Sequence, residues 1–238
     1  MAVYWNTSAL QINLGEFTIF PTLIWNEETA VLVDTGMPGL LPIFKAELKK
    51  KDVPFEKLSA IILTHQDLDH IGSFPEFVEA ASGNLSVLAH ELEKPYIEGE
   101  MALIKTNREN MSADKWAAIP DGLKPYYENP PKGKITSLLV DKQDVRGFSG
   151  IEVIATPGHT PGHVSIYIKN SKTLIAGDAL TCVDGILKGP APQHTLDMKE
   201  ALASAAKLVS YEIETVICYH GGIVTGNIRE QLMEITRK

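Results

Sequence analysis

Apolar positions recur along this chain with two different periods, and stretches of each kind alternate. Residues 15–25 and 29–33 are rich in β-branched and aromatic side chains and flank the turn-like Asn26-Glu27-Glu28, which predicts a hairpin. Residues 40–51 follow Pro38-Gly39 and place Leu41, Phe44 and Leu48 on one helical face, so a helix is predicted there. Residues 59–63 form an apolar run of strand length, residues 71–81 a helix after the polar stretch 64–70, and residues 86–89 a further short strand.

From 90 to about 134 the pattern becomes helical but irregular, interrupted by Pro95, Pro120, Pro125, Pro130 and Pro131. No long Gly/Ser linker sets this stretch apart, so it reads as an insertion or cap on a single domain spanning 1–238. Strand patterns return at 135–140, 151–156, 164–168 and 173–176. A helix at 196–209, a strand at 215–218 and a helix at 227–237 follow. This order predicts an α/β sandwich. The doubled Thr-Pro-Gly-His at 156–163 is a local feature, not a repeat unit.

Composition narrows the partners. Twenty-two Lys and Arg face thirty Asp and Glu, a net charge of −8 that argues against broad contact with nucleic acid or anionic lipid. The densest basic run, Lys49-Lys50-Lys51, is closed by Asp52 and reads as the solvated end of a helix. No apolar run approaches the ~18 residues of a membrane span, and Met1–Asn6 lacks a basic start, so a cytoplasmic protein is expected. Cys182 and Cys218 then read as reduced, small core residues.

Four separated polar clusters each follow directly on a predicted strand: Thr64–His70, Thr156–His159, Ala176–Asp178 and Cys218–Gly222. Residues just past strand ends lie at a sheet rim, where α/β folds build their sites. Imidazole and carboxylate ligands together suit zinc, iron, manganese or cobalt. Gly158, Gly177, Gly221 and Gly222 allow tight turns beside these groups. A lone histidine is more often a packed polar residue than a ligand, but two His and two Asp within six residues are poorly explained by packing.

The clusters resemble the metallo-β-lactamase superfamily, whose signature is H-x-H-x-D-H followed by a distant His, Asp and His. Here it reads His65-Gln66-Asp67-Leu68-Asp69-His70, His159, Asp178 and His220, with a strand-ending Asp34-Thr35-Gly36 upstream. The resemblance implies an αββα four-layer sandwich with two divalent metal ions at one edge of its sheets. It places His65, the residue at 67 and His159 on one ion, Asp69, His70 and His220 on the other, and Asp178 between them. Asp67 departs from the signature, which has histidine there. The carboxylate keeps zinc as the first expectation while opening iron or manganese, and a flavodiiron branch carries a carboxylate in the same slot.

Two such ions lower the pKa of a shared water toward roughly 7, which supplies a hydroxide nucleophile at neutral pH. Asp69 is then expected to orient the nucleophile and pass its proton to the leaving group. Asp34 is expected to accept a ligand histidine's N–H, and His163 to hydrogen-bond beside the site. His194, Tyr126 and Tyr127 are candidates for the pocket wall. Tyr219 is expected to point away from His220, as neighbours on an extended segment do.

The function that follows is hydrolysis of a lactone, ester or thioester of a small metabolite. Asp at 178 and no sign of secretion argue against a secreted β-lactamase. Glyoxalase II-like enzymes carry a further helical region, whereas 18 residues follow His220 here. The alternatives are a non-haem iron oxidoreductase resembling the persulfide dioxygenases, a phosphodiesterase, or a metal-poor binding module. A homodimer is an open expectation.

Overall fold

The structure, a computed structural model, describes residues 3–15 and 17–237. Met1 and Ala2 of the N-terminal reading, Glu16 of the 15–25 run and Lys238 lie outside them. The chain opens with β1 (Asn6–Ala9), the small hairpin β2 (Ile12–Leu14) and β3 (Phe17–Ile19), then β4 (Thr22–Trp25), β5 (Ala30–Val33) and α1 (Leu41–Lys50). The single strand predicted over 15–25 is thus two, because Pro21 has no N–H to donate into a ladder. Next come β6 (Leu58–Ile62), the short α2 (Leu68–Ile71), α3 (Phe74–Ala80) and β7 (Ser86–His90). The helix predicted over 71–81 therefore begins earlier and breaks at Gly72-Ser73, where a Cβ on Gly72 would sit 2.4 Å from the backbone of Met37 and Pro38.

Residues 90–134 contain three short helices, α4 (Lys94–Ile97), α5 (Ala113–Ala118) and α6 (Lys124–Glu128). The rest follows as β8 (Ser137–Leu139), β9 (Ile151–Ala155), β10 (Val164–Ile168), β11 (Thr173–Gly177), β12 (Thr181–Val183), β13 (Ile186–Lys188), α7 (Met198–Leu208), β14 (Thr215–Cys218), β15 (Gly222–Thr225) and α8 (Ile228–Thr236).

Two sheets carry the fold, in the orders β1-β4-β5-β6-β7-β8 and β15-β14-β11-β10-β9. Strand periodicity sorts their side chains. Val31, Val33, Ala60, Ile62 and Leu88 of the first sheet meet Val153, Val164, Ile166, Ile175 and Ile217 of the second in one buried layer. Their neighbours Leu32, Ile61 and Val87 face outward onto Phe44 and Leu48 of α1 and Phe74 and Phe77 of α3. Leu174, Ala176 and Val216 face outward onto Ala205 and Leu208 of α7 and Leu232 of α8. Helix, sheet, sheet, helix is the resulting α/β layering, as the sequence led us to expect. No helix among the described residues is long and apolar enough to cross a membrane.

The hairpin β12–β13 and the edge strands β1 and β15 were not expected. The hairpin had a signal, Asp184-Gly185 between β-forming residues, where both adopt positive φ (52° and 75°). The other two are short edge strands, and β1 is mostly polar, so neither carries an apolar run to mark it.

Candidate metal centre

All four polar clusters end at one rim of the facing sheets, directly after β6, β9, β11 and β14. His65, Asp67, His159 and Asp178 bring donor atoms within 4.8 Å of one another, and Asp69, His70 and His220 form a second such group. Asp67 Oδ2 lies 3.3 Å from His65 Nε2 and 3.1 Å from His159 Nε2. His220 Nε2 lies 3.3 Å from Asp69 Oδ2. Asp178 faces both groups: Oδ1 is 3.4 Å from His70 Nε2, while Oδ2 is 3.3 Å from His159 Nε2 and 3.6 Å from His220 Nε2.

Local backbone explains the convergence. Gly158 has φ +125°, and a Cβ there would lie 2.2 Å from the backbone nitrogen of Ala201, so only glycine lets the turn before His159 seat on the start of α7. Asp197 caps that helix by accepting from the Glu200 N–H at 2.9 Å. Gly221, at φ +100°, would place a Cβ 1.8 Å from the Cys182 carbonyl oxygen. That close approach ties the β14–β15 turn, and His220 within it, to β12, with the Cys182 N–H donating to the His220 carbonyl at 3.0 Å. Asp67 sits at the N-cap of α2 without capping it; its side chain turns into the centre instead.

The hydrogen-bond network assigns the histidine tautomers. Asp34 accepts at Oδ1 from the Thr64 N–H and at Oδ2 from the Thr64 hydroxyl and His70 Nδ1, all at 2.8 Å. The Thr64 proton is committed to Asp34, so His65 Nδ1 donates to Thr64 Oγ1 at 3.0 Å. Both Nδ1 atoms are thereby committed, and it is Nε2 of each ring that faces the centre, where an ion would take its lone pair once any proton has left. His163 Nε2 accepts from the Asp178 N–H at 2.9 Å and its Nδ1 pairs with Thr156 Oγ1 at 2.8 Å, which leaves it no free nitrogen for an ion.

Asp34 itself holds φ at +63°, a conformation costing on the order of 1 kcal/mol that its three hydrogen bonds offset. Asp34→Ala frees the His70 ring, and we expect metal affinity to fall by ~10–100-fold. Competition with a chelator measures this directly, and an unchanged affinity contradicts the positioning role.

Charge is tightly coupled here. Burial and the neighbouring His70 push the His65 imidazole down. Burial would also lower His70, but the carboxylates of Asp178, Asp34 and Asp69 outweigh it and hold His70 well above its ordinary value. Burial opposes ionisation of Asp178, yet His70, His220 and His159 around it keep its carboxyl well below the usual range. Asp67 is held low in the same way, against burial, by His65, His159 and Lys105. A cation entering the second group must therefore expel a proton from His70, so its affinity falls as pH falls.

These residues fit a metal on structural grounds. His65 Nε2, His70 Nε2, Asp67 Oδ1 and Asp178 Oδ1 are buried without any hydrogen-bond partner. A buried polar atom left unpaired costs ~1–3 kcal/mol, and four such atoms aimed at one small volume are what divalent ions would satisfy.

The centre lies at the floor of an open cleft of about 700 Å³. Phe17, Met37, Leu68, Leu123, Tyr127 and Val183 give it an apolar wall, with Lys105, Gln193 and His194 as its polar additions. Tyr127 and His194, two of the three candidates for a pocket wall, line this cleft. Tyr126 does not line this cleft, because the next residue on a helix points ~100° away from its neighbour. Two residues of the site, Glu93 and Lys105, escaped the sequence reading, and a third, Tyr219, takes a place other than the one expected. Glu93 is buried, with Oε2 accepting from the Gln66 N–H and side-chain amide, both at 3.0 Å, and Oε1 from the Gly162 N–H at 2.6 Å. Tyr219 does not point away from His220 as expected: the two rings meet edge-on with centroids 5.1 Å apart, and Tyr219 also stacks under His70 at 3.8 Å and donates to the Asp69 carbonyl. Lys105 reaches the centre itself.

Comparison with known proteins agrees with this geometry. The family model described as the metallo-beta-lactamase superfamily matches residues 14–220. The probable metallo-hydrolase YflN of Bacillus subtilis (strain 168) is 32% identical over 225 residues, covering 87% of this chain and 81% of that protein. The hydroxyacylglutathione hydrolase of Xylella fastidiosa (strain M12) is 26% identical over 200 residues, covering 83% of this chain and 57% of that one. Among solved structures, TTHA1623 in a di-iron-bound form superposes with a TM-score of 0.63 at 27% identity, covering 91% of this chain and 94% of that one.

Proposed function

The chain belongs to the metallo-β-lactamase superfamily of metallo-hydrolases, and from that premise we propose that it cleaves an ester-type bond of a small metabolite with two divalent ions held by its His/Asp cluster. The observation that carries this reading is Asp178, whose two oxygens face the two donor groups from one buried position beneath an open cleft. His65, Asp67 and His159 would hold one ion and Asp69, His70 and His220 the other. When bound, such ions polarise a substrate oxygen and make water acidic enough to attack at neutral pH.

The chain's own residues supply the rest. Thr64 and Asp34 orient His65 and His70 through their Nδ1 atoms. Asp69 is half-buried and held ionised, against desolvation, by His70 and His220 beside it, so its Oδ2 accepts a proton from the attacking water and passes it to the leaving atom. The Tyr127 hydroxyl, pushed up by its partial burial and by Asp69 and Asp67, stays protonated and donates to substrate in the cleft. The named hydroxyacylglutathione hydrolase supports a thioester or ester among the substrates, and the mixed apolar and polar cleft wall supports a small molecule. Zinc is the metal we assign first. Iron is the second reading, favoured by the carboxylate at Asp67 and by the di-iron form of TTHA1623.

A panel of lactones, thioesters, phosphodiesters and β-lactams, offered to the metal-loaded chain, tests the proposal. Turnover of lactones or thioesters is expected. Turnover confined to phosphodiesters would contradict the ester assignment while leaving the metal chemistry standing.

A further inference from the structure

Lys105 enters the metal centre from the proline-broken segment, and its contacts are with ligand atoms. Its Nζ lies 2.6 Å from Asp67 Oδ2 and 2.7 Å from His159 Nε2. A lysine ammonium has only protons to offer, so at both contacts it donates into a lone pair. Those lone pairs are the ones an ion at the His65/Asp67/His159 group requires, and one lone pair cannot serve both. His65 Nε2, the third donor of that group, is left unpaired.

The position is built. The Ile104 N–H donates to Gln66 Oε1 at 2.8 Å, and Gln66 is itself clamped by buried Glu93. Leu103 and Thr106 on either side of Lys105 are buried. The backbone is therefore anchored while the long side chain lines the cleft, one-fifth exposed, with room to withdraw into it. The carboxylate at Asp67 belongs to the same arrangement: an imidazole in that slot would offer this ammonium no opposite charge. Among the described residues, no lysine or arginine pairs with Asp69 or Asp178, so the second donor group has no such occupant.

We propose that the Lys105 ammonium is a tethered competitor for the divalent ion at the His65/Asp67/His159 group, so that the chain loads its two positions unequally, the Asp69/His70/His220 group first. The proposal rests on the two-ion reading above and adds that one chain residue sets the affinity of one ion.

The test is an equilibrium titration of the metal-depleted full chain with Zn²⁺ against a chelating indicator, for wild type, Lys105→Met and Lys105→Gln. Wild type is expected to show a tight and a weak event. Both variants should tighten the weak event by at least ~10-fold and leave the tight one within ~2-fold, since a competitor acts only where it sits. One ion in wild type becoming two in the variants supports the same competition in a stronger form. Equal tightening of both events would indicate a general charge effect and overturn the proposal, as would identical titrations of all three proteins. Uptake of no ion by any of them would overturn the two-ion reading itself, a result distinct from the failure of the competition.

Discussion

Asp178→Ala is expected to reduce kcat/KM by ~10³-fold or more and to leave the protein unable to retain a pair of ions. Asp178 is the carboxylate that faces both donor groups, within 3.4 Å of His70 Nε2 and 3.3 Å of His159 Nε2. Without it the two groups share no anion, and the charge offsetting buried cations is lost. The fold should survive, because the hydrogen bond from this position to His163 is made by the backbone N–H, which alanine keeps. In the metal-free protein the substitution also removes the anion paired with His70, so its Tm should fall at neutral pH while unfolding stays cooperative. Metal content, thermal stability and turnover measured together separate the outcomes: lost metal and activity in a chain that still unfolds cooperatively is expected. Retention of two ions with near-normal turnover would contradict the bridging role.

The second large effect is at Asp69. Asp69→Asn keeps the shape of the side chain and the hydrogen bond from Tyr219 to the backbone carbonyl, but removes the carboxylate proposed to accept the proton at the cleft floor. Proton transfer of this kind contributes ~10²–10⁴-fold, so kcat should fall by that order with little change in KM. Because Asp69 also lies 3.3 Å from His220 Nε2, metal content must be measured on the same sample. Near-normal kcat with intact metal would remove Asp69 from proton transfer.

The parts of this molecule that were legible in its sequence are those whose signals are local. The apolar runs at 30–33 and 59–63 mark buried strands by their length and β-branched content, and the polar clusters announce themselves by sitting where apolar runs stop. The donor residues form short, dense groups, so His65, Asp67, Asp69 and His70 needed no tertiary knowledge. Lys105 and Glu93 were invisible for the opposite reason. Lys105 is an ordinary lysine until Gln66 and Glu93 fix the segment that carries it. Glu93 reads as a surface acid until burial and three donors surround it. For Tyr219 alternation along the strand end was a poor guide, because its ring meets that of His220 edge-on, centroids 5.1 Å apart. What sequence alone does not contain is that the far side of that strand end packs under His70. Tyr126 and Tyr127 differ by one position on a five-residue helix, and only the docking of that helix decides which of them reaches the cleft.

The central claim is that the seven His and Asp side chains hold two divalent ions per chain. Calorimetric titration of the metal-depleted chain with Zn²⁺, repeated in buffers of different ionisation enthalpy, tests it most directly. Saturation at two ions per chain is predicted, with protons released as His70 loses the one that its carboxylate neighbours hold in the metal-free state. Lowering the pH should weaken that uptake. Saturation at one ion in both wild type and Lys105→Met, or no uptake at all, would contradict the account.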